Sequence, residues 1–305
     1  MQSLMIRQNQ YQILTIFLLI SILPGFSLLQ VPQIEVAAQD SSDLSGVRVA
    51  VYTGGHSTEN LASRTALIQM LDWMNAEISL LSPDHMLNGS LEGHSMLVMP
   101  GISPYTLRDE MGIVAYDIIR DFIVRGGAFI GIYGGTFFEW SYFGLFDVEL
   151  QYTLPDLPAG KNLVTITIHK NGTGPDLNDL PDSYATLSWT GSYFDAPDMS
   201  HVTTIASYAL NGLPCMVTFR YGLGVVFLSS PHPEIEEGES RDETTFQDEL
   251  NDPDSEWGLM RVIARWLIDV SGIVPTNPIA GIVISAIVIV VAVIVIGVIV
   301  VKRRE

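Results

Sequence analysis

The chain has 305 residues, 48% of them hydrophobic, with 34 acidic side chains against 15 basic ones and a formal charge of −19. A surface this acidic repels polyanions, which excludes nucleic acid as a partner. Cys215 is the single cysteine, so no disulfide can form within the chain and stability must come from a buried core.

Near the N-terminus, Arg7 precedes an apolar run from Ile13 to Leu23 that breaks at Pro24-Gly25. That length suits the core of a signal peptide and is short for a membrane span. Val36 and Ala38 would occupy the small-residue positions of a cleavage site, so residues 1–38 are expected to be a signal peptide. An uncleaved N-terminal anchor is the alternative. An ectodomain is expected over 39–272 and a linker over 273–278. Between Gln39 and Thr276 there are 32 acidic and 11 basic residues, a net charge of −21.

Within the ectodomain, Val47 to Tyr52 reads as a buried parallel strand that turns at Thr53-Gly54-Gly55. The Gly54-Gly55-His56-Ser57 stretch has the form of an anion cradle before a helix, although a plain turn explains it as well. Leu61 to Met74 has a helical apolar period, with Thr58 or Asn60 as cap. Strands follow at Glu77 to Leu81, at Met96 to Met99 and, after an amphipathic helix over Met111 to Val124, at Ala128 to Ile132. Strands alternating with helices imply a parallel sheet with right-handed crossovers. The second half reads as further strands at Leu163–His169, His201–Ala209 and Met216–Phe219, with a hairpin through Arg220–Gly224 into Val225–Ser229. A closing helix is expected over Trp257 to Val270.

Eleven acidic residues and one arginine lie between Glu234 and Glu256, the pattern of a solvated loop. Asp252, Asp254 and Glu256 alternate like the start of a calcium loop, but Trp257 stands where that loop needs glycine, so no metal is expected. Asn88-Gly89-Ser90 and Asn171-Gly172-Thr173 are glycosylation sequons. Ile279 to Val301 carries no charge, and 23 residues make a helix of about 34 Å against a hydrocarbon core of about 30 Å. Lys302, Arg303 and Arg304 follow, so residues 302–305 are expected to be a cytoplasmic tail beyond a bilayer-spanning helix.

Two segments carry chemistry. In Gly126 to Gly135 a strand runs into small residues and a sharp turn, the pattern of a nucleophile elbow that lifts one side chain into strained exposure. In Ser229-Ser230-Pro231-His232-Pro233-Glu234, a histidine with a carboxylate two residues on can serve as base and orienter. His232 between prolines is equally compatible with a rigid turn. The aromatic run Phe137, Phe138, Trp140, Tyr142 and Phe143 reads as core and pocket wall.

With the Leu97-Val98-Met99-Pro100-Gly101 strand end, these segments resemble the class I glutamine amidotransferase-like superfamily. Within it they resemble the N-terminal domain of certain biotin–protein ligases and their stand-alone relatives. The likeness spans Val47 to Val270. It implies an α/β, flavodoxin-like three-layer sandwich with a parallel central sheet, and a Cys-His-Glu triad. His232 and Glu234 fall on the family's His and Glu, and Tyr133 falls on its nucleophilic cysteine. Gly101, Gly131, Gly134 and Gly135 would form the pocket backbone. The family's oxyanion loop has two glycines after its proline, whereas Gly101 is followed by Ile102.

A phenol with a reference pKa near 10 is a poor nucleophile at neutral pH. The expectation is therefore a non-catalytic domain that binds a small ligand or a surface protein, without a cofactor. Two other readings stand beside it. One is a hydrolase or proton-transfer enzyme using Tyr133, His232 and Glu234; the other is a structural component of the cell surface.

Overall fold

Strands whose side chains are apolar on both faces belong in a sheet covered on both sides. Val49 and Val51 in the first strand enter one core cluster, and Ala50 and Tyr52 the other. A computed structural model of the chain describes residues 43–133, 149–151, 160–170, 173–189, 191–195, 199–236, 240–252 and 254–272.

The strands are β1 (Arg48–Tyr52), β2 (Glu77–Leu81), β3 (Met96–Met99), β4 (Ala128–Ile132), β5 (Glu149–Gln151), β6 (Lys161–Ile168), β7 (Ser183–Trp189), β8 (Tyr193–Asp195), β9 (Val202–Tyr208), β10 (Pro214–Tyr221) and β11 (Gly224–Ser229). The helices are α1 (Thr58–Trp73), α2 (Pro83–Leu87), α3 (Pro104–Val124) and α4 (Trp257–Val270). Nine strands form one sheet in the order β2-β1-β3-β4-β11-β10-β9-β6-β7, and β5 pairs with β8 in a small antiparallel ribbon.

The sheet is mixed rather than parallel, which corrects the expectation from sequence. From β2 to β11 every pairing is parallel; from β11 to β7 every pairing is antiparallel. The change of direction has a local cause. Tyr221 to Gly224 turns β10 tightly back into β11, and a short turn can join only antiparallel neighbours.

Helices cover both faces. Leu67, Met70 and Leu71 of α1 and Leu259, Ile263 and Leu267 of α4 share one cluster with β1, β4 and β11. Met86 of α2 and Leu107, Ile119 and Ile123 of α3 share the other. α1 begins at Thr58 rather than Leu61 because Ser57 caps it, its hydroxyl accepting from the Asn60 amide at 3.2 Å. α3 begins seven residues earlier than its apolar period suggests, and Gly112, at φ 59°, breaks its helical geometry.

Among the described helices none is long and apolar enough to cross a membrane. Ile279 to Val301, residues 1–38, the aromatic run from Phe137 to Phe143, Asn171, Gly134 and Gly135 lie outside the described residues. Asn88 is exposed, at the C-terminal end of α2.

Candidate functional site at the ends of the strands

β4 ends at Ile132, and the next residue leaves the strand with φ +44°. That residue is Tyr133. A bulky side chain in this region is strained by about 1–3 kcal/mol and persists only where its surroundings hold it. Tyr133 thus takes a left-handed backbone at the position where the glycine pattern expects the elbow, and Gly134 and Gly135 beyond it lie outside the described residues.

β11 lies beside β4 in parallel register, Ser229 opposite Ile132, so the chain leaving β11 arrives next to the elbow. The His232 amide donates to the Leu187 carbonyl at 2.8 Å, tying this segment to the edge strand β7. The His232 ring then lies 5.3 Å from the Tyr133 ring, centroid to centroid and tilted by 35°. Its Nδ1 is 2.9 Å from Glu234 Oε1. His232 and Glu234 are buried, at 3% and 0% exposure. The three triad positions named from the sequence are thus brought together.

A fourth residue belongs with them. Ser63 of α1 donates its hydroxyl to Glu234 Oε1 at 2.6 Å and accepts the Gly101 amide at 2.9 Å. Sequence reasoning missed it, although a signal existed. Asn60 and Ser63 share the helical spacing of Leu67, Met70 and Leu71, and both are buried. Polar residues on an apolar stripe need partners, because burying an unsatisfied hydroxyl costs about 1–3 kcal/mol.

Gly101 is where the loop after β3 meets the histidine. A Cβ there would stand 2.6 Å from His232 Cε1, so no other residue lets the ring lie so close. Its amide is already given to Ser63, and so is not free to stabilise an oxyanion. Two buried atoms here have no hydrogen-bond partner among the described residues, His232 Nε2 and Glu234 Oε2. Trp257 closes the cluster from beneath, its indole N–H donating to the Glu234 carbonyl at 2.9 Å.

The other sequence candidates resolve as follows. Gly131 is buried within β4, paired with Met99 and Leu228. The Gly54-Gly55 cradle receives the chain's own carboxylate, with the Gly55 amide donating to Glu110 at 3.0 Å and the Tyr52 hydroxyl at 2.9 Å. A Cβ on Gly54 would stand 2.2 Å from both Tyr52 Oη and Glu110 Oε2. Burial, reinforced by that carboxylate, raises the Tyr52 hydroxyl far above its ordinary value. Cys215 is 0% exposed, and burial pushes its thiol well up, so it is no nucleophile. Asp252, Asp254 and Glu256 each bring one carboxylate oxygen within 4.8 Å of the others, and Asp254 Oδ1 also accepts the Ala185 amide at 3.1 Å.

No family model matches the chain, and no curated protein matches it. Solved structures do match. They include a glutamine amidotransferase from Thermotoga maritima, 16% identical with TM-score 0.49, covering 73% of this chain and 97% of that one. A ThuA-like protein from Bacteroides uniformis is 12% identical with TM-score 0.48, covering 73% and 92%. A beta-galactosidase from Bacillus circulans sp. alkalophilus is 14% identical with TM-score 0.43; the match covers 74% of this chain, which spans 31% of that protein. At such scores the chemistry of the site has to be read from its own residues.

Proposed function

We propose that this chain is a membrane-anchored, extracellular amidotransferase-like domain that has lost its nucleophile and binds rather than transforms its ligand. The observation that carries this reading is Tyr133 at φ +44°, over a buried His232–Glu234 pair. The hydrogen-bonded His232–Glu234 pair beside Tyr133 supports reading the two as a base and its orienter, while the single cysteine of the sequence, Cys215, is buried in β10. Transfer of an amide nitrogen from glutamine needs a covalent thioester, which a phenol at neutral pH cannot replace. The flavodoxin-like layering and the likeness to the biotin–protein ligase N-terminal domain belong to this proposal, and rest on the order of the sequence motifs. The ligand would be a small molecule or a surface protein, met in the cleft at the carboxyl ends of the strands.

Intact-mass spectrometry with an electrophilic glutamine analogue tests the loss. The native protein is expected to stay unlabelled. Tyr133→Cys is expected to gain one adduct, at a rate that falls at least tenfold when His232→Ala is added. An adduct on the elbow of the native protein defeats the reading. The anchor is tested separately. Carbonate washing should leave the full chain in the membrane fraction and release a chain ending at Gly272; release of the full chain would refute the anchor.

One observation favours the enzymatic alternative, in which Tyr133 donates or accepts a proton. His232 Nε2 is buried with no hydrogen-bond partner among the described residues, and its ring lies beside that of Tyr133. Activity of the native protein toward esters, amides or phosphoesters that is lost in both Tyr133→Phe and His232→Ala would establish it.

A further inference from the structure

Beyond the triad remnant, the elbow leads into a second chemical environment. Tyr133 stacks on Trp189, centroids 6.2 Å apart and planes 13° from parallel, and Trp189 contacts Phe246 at 6.0 Å. Trp189 ends β7, directly across the sheet from Lys161 at the start of β6. The Lys161 ammonium lies 4.5 Å from the Trp189 ring centroid and 4.3 Å from that of Phe246. Both distances are well inside the range over which a cation is held by a ring's quadrupole.

Three facts set this notch apart from an ordinary surface contact. First, the chain between Gln39 and Thr276 has 32 carboxylates for 11 cations, yet Lys161 pairs with no carboxylate among the described residues. Second, the Phe246 ring is held from beneath. Phe246 packs on the buried cluster of Ala66, Leu187 and Ile235, and its amide donates to Thr244 Oγ1 at 2.8 Å. Third, Tyr133, Trp189, Phe246 and Lys161 are each half-buried, so each keeps part of its surface in solvent.

We propose that the Trp189–Phe246 notch is a binding site for a methylated ammonium group, with Lys161 as its built-in competitor. The pair of rings already accepts an ammonium, which shows that the spacing fits such a charge. A primary ammonium is compact and strongly hydrated, so seating it between rings gives up much of its water. A tetramethylated nitrogen spreads the same charge over apolar methyls, gives up less hydration and contacts both ring faces. The negative field of the domain draws cations toward the site. Lys161 is tethered, which makes its effective concentration high. A ligand with only the ammonium head therefore binds the native protein weakly, and one with further contacts along Tyr133 displaces the lysine. This site does not depend on whether Tyr133 is a lost or a working catalytic group.

Calorimetric titration of the full chain in detergent with tetramethylammonium chloride tests it, with ammonium chloride at equal ionic strength as reference. Lys161→Met, which keeps an apolar stem, is expected to bind tetramethylammonium at least tenfold more tightly than the native protein. Adding Phe246→Leu or Trp189→Ala to Lys161→Met is expected to remove that gain. Phe246→Leu keeps the buried contact, so it answers the question even if Trp189→Ala fails to fold. Equal affinity of Lys161→Met and the native protein overturns the proposal. So does a gain that survives loss of the Phe246 ring, or one that ammonium chloride reproduces in full.

Discussion

The parallel and antiparallel halves of the sheet make different contributions to one site. The parallel half, β2-β1-β3-β4-β11, supplies the Tyr133–His232–Glu234 cluster from loops that leave the carboxyl ends of its strands: Gly101 after β3, Tyr133 after β4, and His232 and Glu234 after β11. The antiparallel half supplies no triad member. It provides the wall, with Leu187 fixing the His232 backbone and Trp189 and Lys161 closing the aromatic side. A parallel sheet gathers functional groups by topology, because all its strands end on the same side. An antiparallel extension contributes through its edge and surface.

If the two halves fold as one unit, breaking their shared core should unfold both together. Trp257 is fully buried in α4, in the same cluster as Ile205 and Tyr208 of β9 and Ile130 of β4. Trp257→Ala is expected to lower the unfolding free energy by about 3–5 kcal/mol and to leave a single transition in urea. Two separated transitions by circular dichroism would show the halves to be independent. Ser63→Ala acts on a smaller scale. It leaves the Gly101 amide without its acceptor and removes a donor from Glu234, for an expected loss of about 1–3 kcal/mol measured by the same denaturation. A loss under about 0.5 kcal/mol, the range of ordinary surface changes, would place Ser63 outside the site.

The smallest effect concerns alkaline pH. Tyr184 of β7 is pushed up to about 12, by burial first and then by the charges of Glu256 and Asp254. Its unfolded value is near 10. Below pH 10 both states keep the proton and the stability is whole; between 10 and 12 the unfolded chain alone ionises, so stability falls as pH rises. Tyr52 and Tyr116 of the parallel half are raised by burial too. Tyr184→Phe should therefore flatten only part of the decline in melting temperature between pH 9 and 11. Removal of the whole decline would assign alkaline sensitivity to the antiparallel half alone.

How far the sequence could be read follows the same division. β3, β4, β11 and α4 were legible almost to the residue, since each is a continuous apolar run or a clear helical stripe bounded by glycine or proline. β7 was not legible. Its buried residues include Thr186 and Ser188, so the apolar alternation that marks a half-exposed strand is missing. Tyr133, His232 and Glu234 could be named because they sit inside local motifs. Ser63 bonds a residue 171 positions away, and Lys161 and Phe246 meet at the ends of unrelated segments, so no local pattern announces either. The anion cradle at Gly54-Gly55 failed for a related reason, since Glu110, 55 residues on, fills it.

The inward-turned amide of Gly101 bears on any attempt to build acyl-transfer chemistry at Tyr133. Placing sulfur at the elbow would yield a group that reacts once with an alkylating agent. A tetrahedral adduct would still find no donor from Gly101, because that hydrogen is spent on a helix serine. A thiol alone should then give stoichiometric modification without repeated cycles, and a second substitution would have to begin in the first helix rather than beside the tyrosine.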